Sequence, residues 1–139
     1  MGTQISKMKK INYTDMQSAL EKKYTIINVI DKSKQTILIK NTIMSDIEEE
    51  QINKILDEKR LQSYIIIYGM NCNDEGVIEK YKQLVSLGFI NVYVYMGGLF
   101  EWLCLQELYG VENFPTTKIT SDILSYAPPK QLGIMYISE

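Results

Sequence analysis

The chain has 139 residues, with 17 acidic against 15 basic side chains and a formal charge of -2. It suits one domain, has no field to recruit nucleic acid, and holds no run near the ~20 apolar residues of a membrane span. Histidine is absent and Arg60 is the only arginine, which excludes Ser/His/Asp and Cys/His catalytic sets, His-containing zinc sites and an arginine clamp on a phosphate.

Residues 1–10 read as a flexible start without the apolar stretch of a signal peptide. Asn12, with Asp15 three positions on, predicts a capped helix through Lys22 that turns Met16, Ala19 and Leu20 inward. Tyr24 to Ile30 is β-branched and nearly continuous in apolar character, as a strand covered on both faces must be, and Thr36 to Ile39 predicts a second, shorter strand. Ser45 and Glu48 have capping-box spacing, and Asp46, Glu48, Glu49 and Glu50 suit the positive end of a helix that ends near Lys59. The same carboxylates would also suit a basic partner.

Tyr64 to Tyr68 is the clearest buried strand, and its abrupt change to GMNCNDEG marks a strand-to-loop-to-helix junction, the expected site. The following helix places Val77, Ile78, Tyr81, Leu84 and Val85 on one face and stops at Gly88. Asn91 to Tyr95 predicts another strand, Gly97-Gly98 a sharp turn, and Leu99 to Tyr109 a helix closed by Gly110. Beyond Pro115 periodicity fades. A short helix is expected around Ser121 to Tyr126, and LGIMYIS beyond Pro128-Pro129 stays open between a strand and an arm. Strands alternating with helices over short links imply right-handed crossovers, a parallel sheet and helices on both faces.

Two cysteines, Cys72 and Cys104, are too few for a disulfide framework or a four-cysteine metal site. A reduced cytoplasmic compartment is expected, and neither metal nor cofactor. Cys72 reads either as a nucleophile favoured by a nearby helix dipole or as an ordinary loop residue. Cys104, between Leu103 and Leu105, suits the core, as do Phe100 and Trp102. Tyr93 and Tyr95 share one strand face, suited to a cleft or to helix packing.

From Tyr64 to Trp102 the order IIIYG, loop, amphipathic helix, LGFINVYVY, GG and Trp resembles rhodanese-like domains. VID at Val29 to Asp31, ILIKNTI at Ile37 to Ile43 and FPTT at Phe114 to Thr117 resemble further parts of that family. The resemblance implies a rhodanese-like three-layer sandwich with a largely parallel five-stranded sheet. Its expected extent is residues 11–127, with 128–139 as a tail. In that family a cysteine follows the strand matching Tyr64 to Tyr68, and a loop curls round its sulfur, where backbone N–H groups stabilise a thiolate and then a persulfide.

Here Gly69 stands at the cysteine position, and the loop continues Met70, Asn71, Cys72, Asn73, Asp74, Glu75, Gly76. The last loop position, often arginine in the family, is Asp74, and Ser33 stands where an arginine often follows the family's Asp, here Asp31. Asp74 suits either a gate against anions or, in competition with Asn73, a helix cap. The resemblance therefore implies a non-catalytic module that binds a protein, a peptide or a small anion, with no nucleic-acid or membrane partner. The rival is a sulfurtransferase carrying a persulfide on Cys72. A cysteine-dependent phosphatase or arsenate reductase fits less well, since the cradle lacks both its cysteine and its arginine.

Overall fold

The structure is a computed structural model that describes residues 7–132. Strands β1 (Lys10–Ile11), β2 (Thr25–Asn28), β3 (Tyr64–Tyr68) and β4 (Asn91–Tyr95) alternate with helices α1 (Tyr13–Glu21), α2 (Ser45–Asp57), α3 (Gly76–Ser86) and α4 (Gly98–Tyr109). Short 3₁₀ turns occupy Lys32–Lys34 and Ile123–Tyr126. The sheet order is β1-β4-β3-β2 and every pairing is parallel, so β3 is an interior strand.

Strand alternation sorts the core into two layers. Ile26, Ile66, Tyr68 and Tyr95 pack with Met16 and Ala19 of α1 and with Leu99, Trp102 and Leu103 of α4. Ile27, Ile65, Ile67, Val92 and Val94 pack with Ile52 and Ile55 of α2 and with Val77, Tyr81 and Leu84 of α3. Two-sided burial is why these strands read as continuous apolar runs rather than alternating ones.

Local signals decide the ends of the elements. Asn12 and Asp15 close a full capping box on α1, with Asp15 N–H donating to Asn12 Oδ1 at 3.0 Å and Asn12 N–H to Asp15 Oδ2 at 3.2 Å. Gly88 and Gly110 end α3 and α4 at φ +107° and +96°. The box expected at Ser45 does not form. Ser45 is the first residue inside α2, and its hydroxyl donates to Gln35 Oε1 at 2.6 Å. Glu48 instead meets Lys80 Nζ at 2.7 Å, which ties α2 to α3.

Two further expectations are corrected. The flexible start does not reach residue 10: Met8 is buried, Lys9 O accepts the Val94 N–H, and Lys10–Ile11 is the edge strand β1. Residues 1–6 lie outside the described residues.

The sheet also has four strands among the described residues, not five. Ile37, Leu38 and Ile39 are buried as a strand would be, but their backbone partners lie elsewhere. Ile39 N–H donates to the Tyr68 hydroxyl at 3.1 Å, and Thr42 Oγ lies 2.7 Å from that hydroxyl and 2.6 Å from Ile39 O. Leu38 exchanges bonds with Thr117, and Lys40 N–H donates to Pro115 O. The segment thus meets the sheet at the Thr42–Ile26 bridge, beside which Ile43 N–H donates to Ile26 O, and at the Tyr68 hydroxyl, while Ile39 bridges to Thr116 outside the sheet.

FPTT is the counterpart of this segment. Phe114 packs edge-on against Trp102, Trp102 Nε1 donates to Pro115 O, and Gln106 donates to Phe114 O and Thr116 Oγ1. The helix expected near Ser121 to Tyr126 is a 3₁₀ turn, and LGIMYIS lies outside the described residues from Gly133 on. No helix of the described residues is long and apolar enough to cross a membrane.

Candidate functional site

The carboxyl ends of parallel strands are where an open α/β sheet gathers its ligands. At that end of β3 the chain leaves the sheet at Gly69 and enters α3 at Gly76. Every residue of the expected loop lies on this path. Gly69 is buried, Met70, Asn71, Asp74 and Gly76 are half-buried, and Cys72, Asn73 and Glu75 are exposed.

Asp74 organises the loop. Its Oδ2 accepts the Met70 N–H at 2.9 Å and its Oδ1 accepts the Gly76 N–H at 3.1 Å, so the carboxylate bridges the start of the loop and the start of α3. Charge-assisted bonds of this kind are stronger than neutral ones, and a carboxylate suits the positive end of a helix. A Cβ built on Gly69 would stand 2.6 Å from Asp74 Cγ. The acid therefore occupies the space that any side chain at position 69 would enter. Asp74 accepts the N–H of Gly76, the first residue of α3, whereas the Asn73 side chain meets only Cys72 among the described contacts.

Asn71 holds the outer rim. Its Oδ1 accepts the Asn73 N–H at 2.9 Å and its amide donates to Tyr126 O at 3.0 Å, so the 3₁₀ turn braces the loop. From the other side, Leu99 N–H donates to Gly69 O and Phe100 N–H to Met70 O, each at 2.9 Å. This approach requires Gly98, which has φ +68° and lies so close that an added Cβ would be 2.7 Å from Gly69 O. The sequence marked Gly97-Gly98 only as a turn, and gave no sign of Tyr126 as a brace.

Cys72 projects from the loop, and its one hydrogen-bond contact is a long 3.7 Å approach to Asn73 Oδ1. No loop N–H is directed at its sulfur among the described contacts. Cys104 is half-buried on α4, away from the fully buried core, and burial and then the Glu101 charge raise its thiol above its ordinary pKa. Trp102 is fully buried and Phe100 packs against the core. Tyr95 is buried and donates to Glu101 Oε1, and burial, then that carboxylate, hold its phenol well above the ordinary value. Tyr93 stacks on Tyr64, which stacks on Tyr24. Asp31 lies outside the loop and caps the Lys32–Lys34 turn through Ser33, whose N–H and hydroxyl lower its pKa. The described residues gather no group of three or more metal-binding side chains.

A parallel sheet between two helical layers, with this loop leading from an interior strand into a helix, is the rhodanese-like α/β fold. Solved structures bear out that class. Ygr203w of Saccharomyces cerevisiae, a homologue of single-domain rhodanese and of the Cdc25 phosphatase catalytic domain, aligns with a TM-score of 0.62 at 15% identity over 86% of this chain and 93% of that one. The rhodanese-like domain of the Alr3790 protein from Anabaena sp., solved in solution, aligns at 0.55 with 25% identity over 88% and 86%. A crystal structure of the Alr3790 protein aligns at 0.56 with 24% identity over 84% and 100%. No protein-family model and no curated protein sequence matches the chain.

Proposed function

We propose that this chain is a non-catalytic rhodanese-like module that binds a protein or peptide. The carrying observation is the pairing of Gly69 with Asp74: a nucleophile is missing at the exit of β3, and a carboxylate fills the space beside it. Thiol chemistry at this place needs a sulfur within ~3–3.5 Å of the reacting atom. Cys72 lies three positions further on, exposed, so it is not directed into the loop by any contact.

The same carboxylate argues against a small anion as the ligand. Met70 N–H and Gly76 N–H already donate to Asp74, and a second negative charge there would meet it at short range. The loop's exposed rim, Cys72, Asn73 and Glu75, instead offers contact to a larger partner.

The test is sulfur transfer from thiosulfate to cyanide. Wild type and Cys72→Ser are expected to be equally inactive. Activity in wild type that Cys72→Ser abolishes would overturn this reading in favour of a persulfide on Cys72.

A further inference from the structure

Helix α4, GLFEWLCLQELY, is buried or half-buried as far as Gln106, but its last turn, Glu107, Leu108 and Tyr109, is exposed. Leu99, Trp102, Leu103 and Gln106 face the core, while Leu108 on the outer side is 73% exposed. The segment 119–124 that crosses beside this turn tucks Ile123 against the core but leaves its other apolar side chains outside. It adds Ile119 at 67% and Leu124 at 78% exposed, and between them and α4 runs a groove of ≈ 740 Å³ that reaches Cys104. Leu108, Ile119 and Leu124 line this one groove together, and it is contiguity of exposed apolar side chains that suits a surface to a partner.

Charge selects the occupant. The ionisable lining residues besides the Cys104 thiol are the carboxylates Glu107 and Asp122, and no basic side chain lines the groove. The ion pairs among the described residues are Arg60 with Glu58 and Lys80 with Glu48, so neither groove carboxylate is neutralised by one. An apolar floor with acidic sides complements an amphipathic segment whose leucine-like residues are flanked by lysine or arginine.

We propose that the groove between α4 and residues 119–124 docks a basic amphipathic segment of a partner protein. The proposal rests on the reading of the domain as a binding module, and it places the contact on residues outside the 69–76 loop, beside the turn whose Tyr126 O is tied to Asn71.

The probe is a synthetic amphipathic peptide of leucine and lysine, titrated into the full chain by NMR beside its leucine and glutamate counterpart. Shifts are expected to centre on Leu108, Ile119 and Leu124. Leu108→Ser with Leu124→Ser, both at exposed positions and so neutral to folding, should weaken binding about tenfold or more. Glu107→Lys with Asp122→Lys should exchange the preference toward the glutamate peptide.

Equal binding of both peptides, or a footprint elsewhere, overturns the proposal. So does self-association mapped to these residues, which makes the occupant a second copy, or cross-peaks from residues 133–139 to Leu108 and Leu124, which make it the chain's own end. A footprint on the 69–76 loop would sink the groove and leave the module reading standing. Sulfur transfer lost in Cys72→Ser would instead sink the module reading.

Discussion

The carboxyl carbon of Asp74 stands 2.6 Å from the point where a Cβ on Gly69 would lie. The two positions therefore share one volume, and the chain fills it from residue 74. Restoring a side chain at 69 evicts the acid and breaks its bonds to Met70 and Gly76. Gly69→Ala should cost about 1–3 kcal/mol in urea unfolding, the usual penalty of overpacking. In an Asp74→Gly background, which also removes the Cβ that would lie 2.7 Å away, the same change should cost far less, giving a coupling of roughly 0.5–3 kcal/mol. Additive costs would mean that the two residues do not compete. By the same logic, Gly69→Cys alone should gain no sulfur transfer.

Tyr68 explains why residues 36–39 leave the sheet. Its hydroxyl accepts from Ile39 N–H and pairs with Thr42 Oγ, which in turn donates to Ile39 O, so one buried phenol satisfies a backbone amide that a strand neighbour would otherwise take. Tyr68→Phe leaves that amide without a partner, at an expected cost of about 1–3 kcal/mol. Amide exchange at Ile39 should accelerate well beyond that at Ile66. Unchanged protection at Ile39 would show that the phenol is not its partner.

Strands β2, β3 and β4, the four helices and the place of the loop were legible because burial on two faces writes itself as isoleucine runs, and because Asn12, Gly88 and Gly110 carry local stop and start chemistry; the two-residue edge strand β1 is too short to leave such a pattern. What escaped depends on partners far away in sequence. The Ile37 to Ile39 run has strand composition, but a phenol 29 positions later takes its N–H. Ser45 has capping-box spacing, but Gln35 takes its hydroxyl. Asp74 is visible as a cap, yet its reach back to Met70 exists only because residue 69 has no side chain. The groove on α4 was hidden for the opposite reason, since apolar composition such as Leu103-Cys104-Leu105 reads as core wherever it occurs.

Alkaline stability follows from the buried phenols. Burial, as the largest cause, raises both Tyr68 and Tyr95 above the ordinary value of 10.0, with Glu101 adding to the effect at Tyr95. In the unfolded chain both would ionise near pH ~10. Above that pH the unfolded state binds fewer protons than the folded one, so folding stability falls as pH rises. Their contribution is complete below pH ~10 and is lost progressively above it. Urea midpoints measured from pH 8 to 11 should hold and then decline, and Tyr95→Phe should flatten the decline relative to wild type. A decline of equal slope in the variant would assign it to other groups.

Gly98 and Gly110 separate backbone strain from collision. Both have positive φ, +68° and +96°, so an alanine at either is strained by the left-handed backbone alone, by roughly 1 kcal/mol or more. They differ in what a methyl group meets. At Gly110 nothing lies within 4 Å, whereas at Gly98 the added carbon would be 2.7 Å from Gly69 O and 3.0 Å from Asn71 Cα and N. Those are backbone atoms of the candidate site, and they cannot turn aside as a flexible side chain would. Gly98→Ala must therefore push α4 from the loop and stretch the bonds from Leu99 and Phe100 to Gly69 and Met70. The variant should lose more stability than Gly110→Ala, and it should speed amide exchange at Leu99 and Phe100 while Gly110→Ala leaves both as in wild type. Alkylation of Cys72, which sits on the loop so displaced, should change in rate only in the Gly98 variant. If the two alanines behave alike in all three measurements, the close approach of α4 to the loop is not what Gly98 serves.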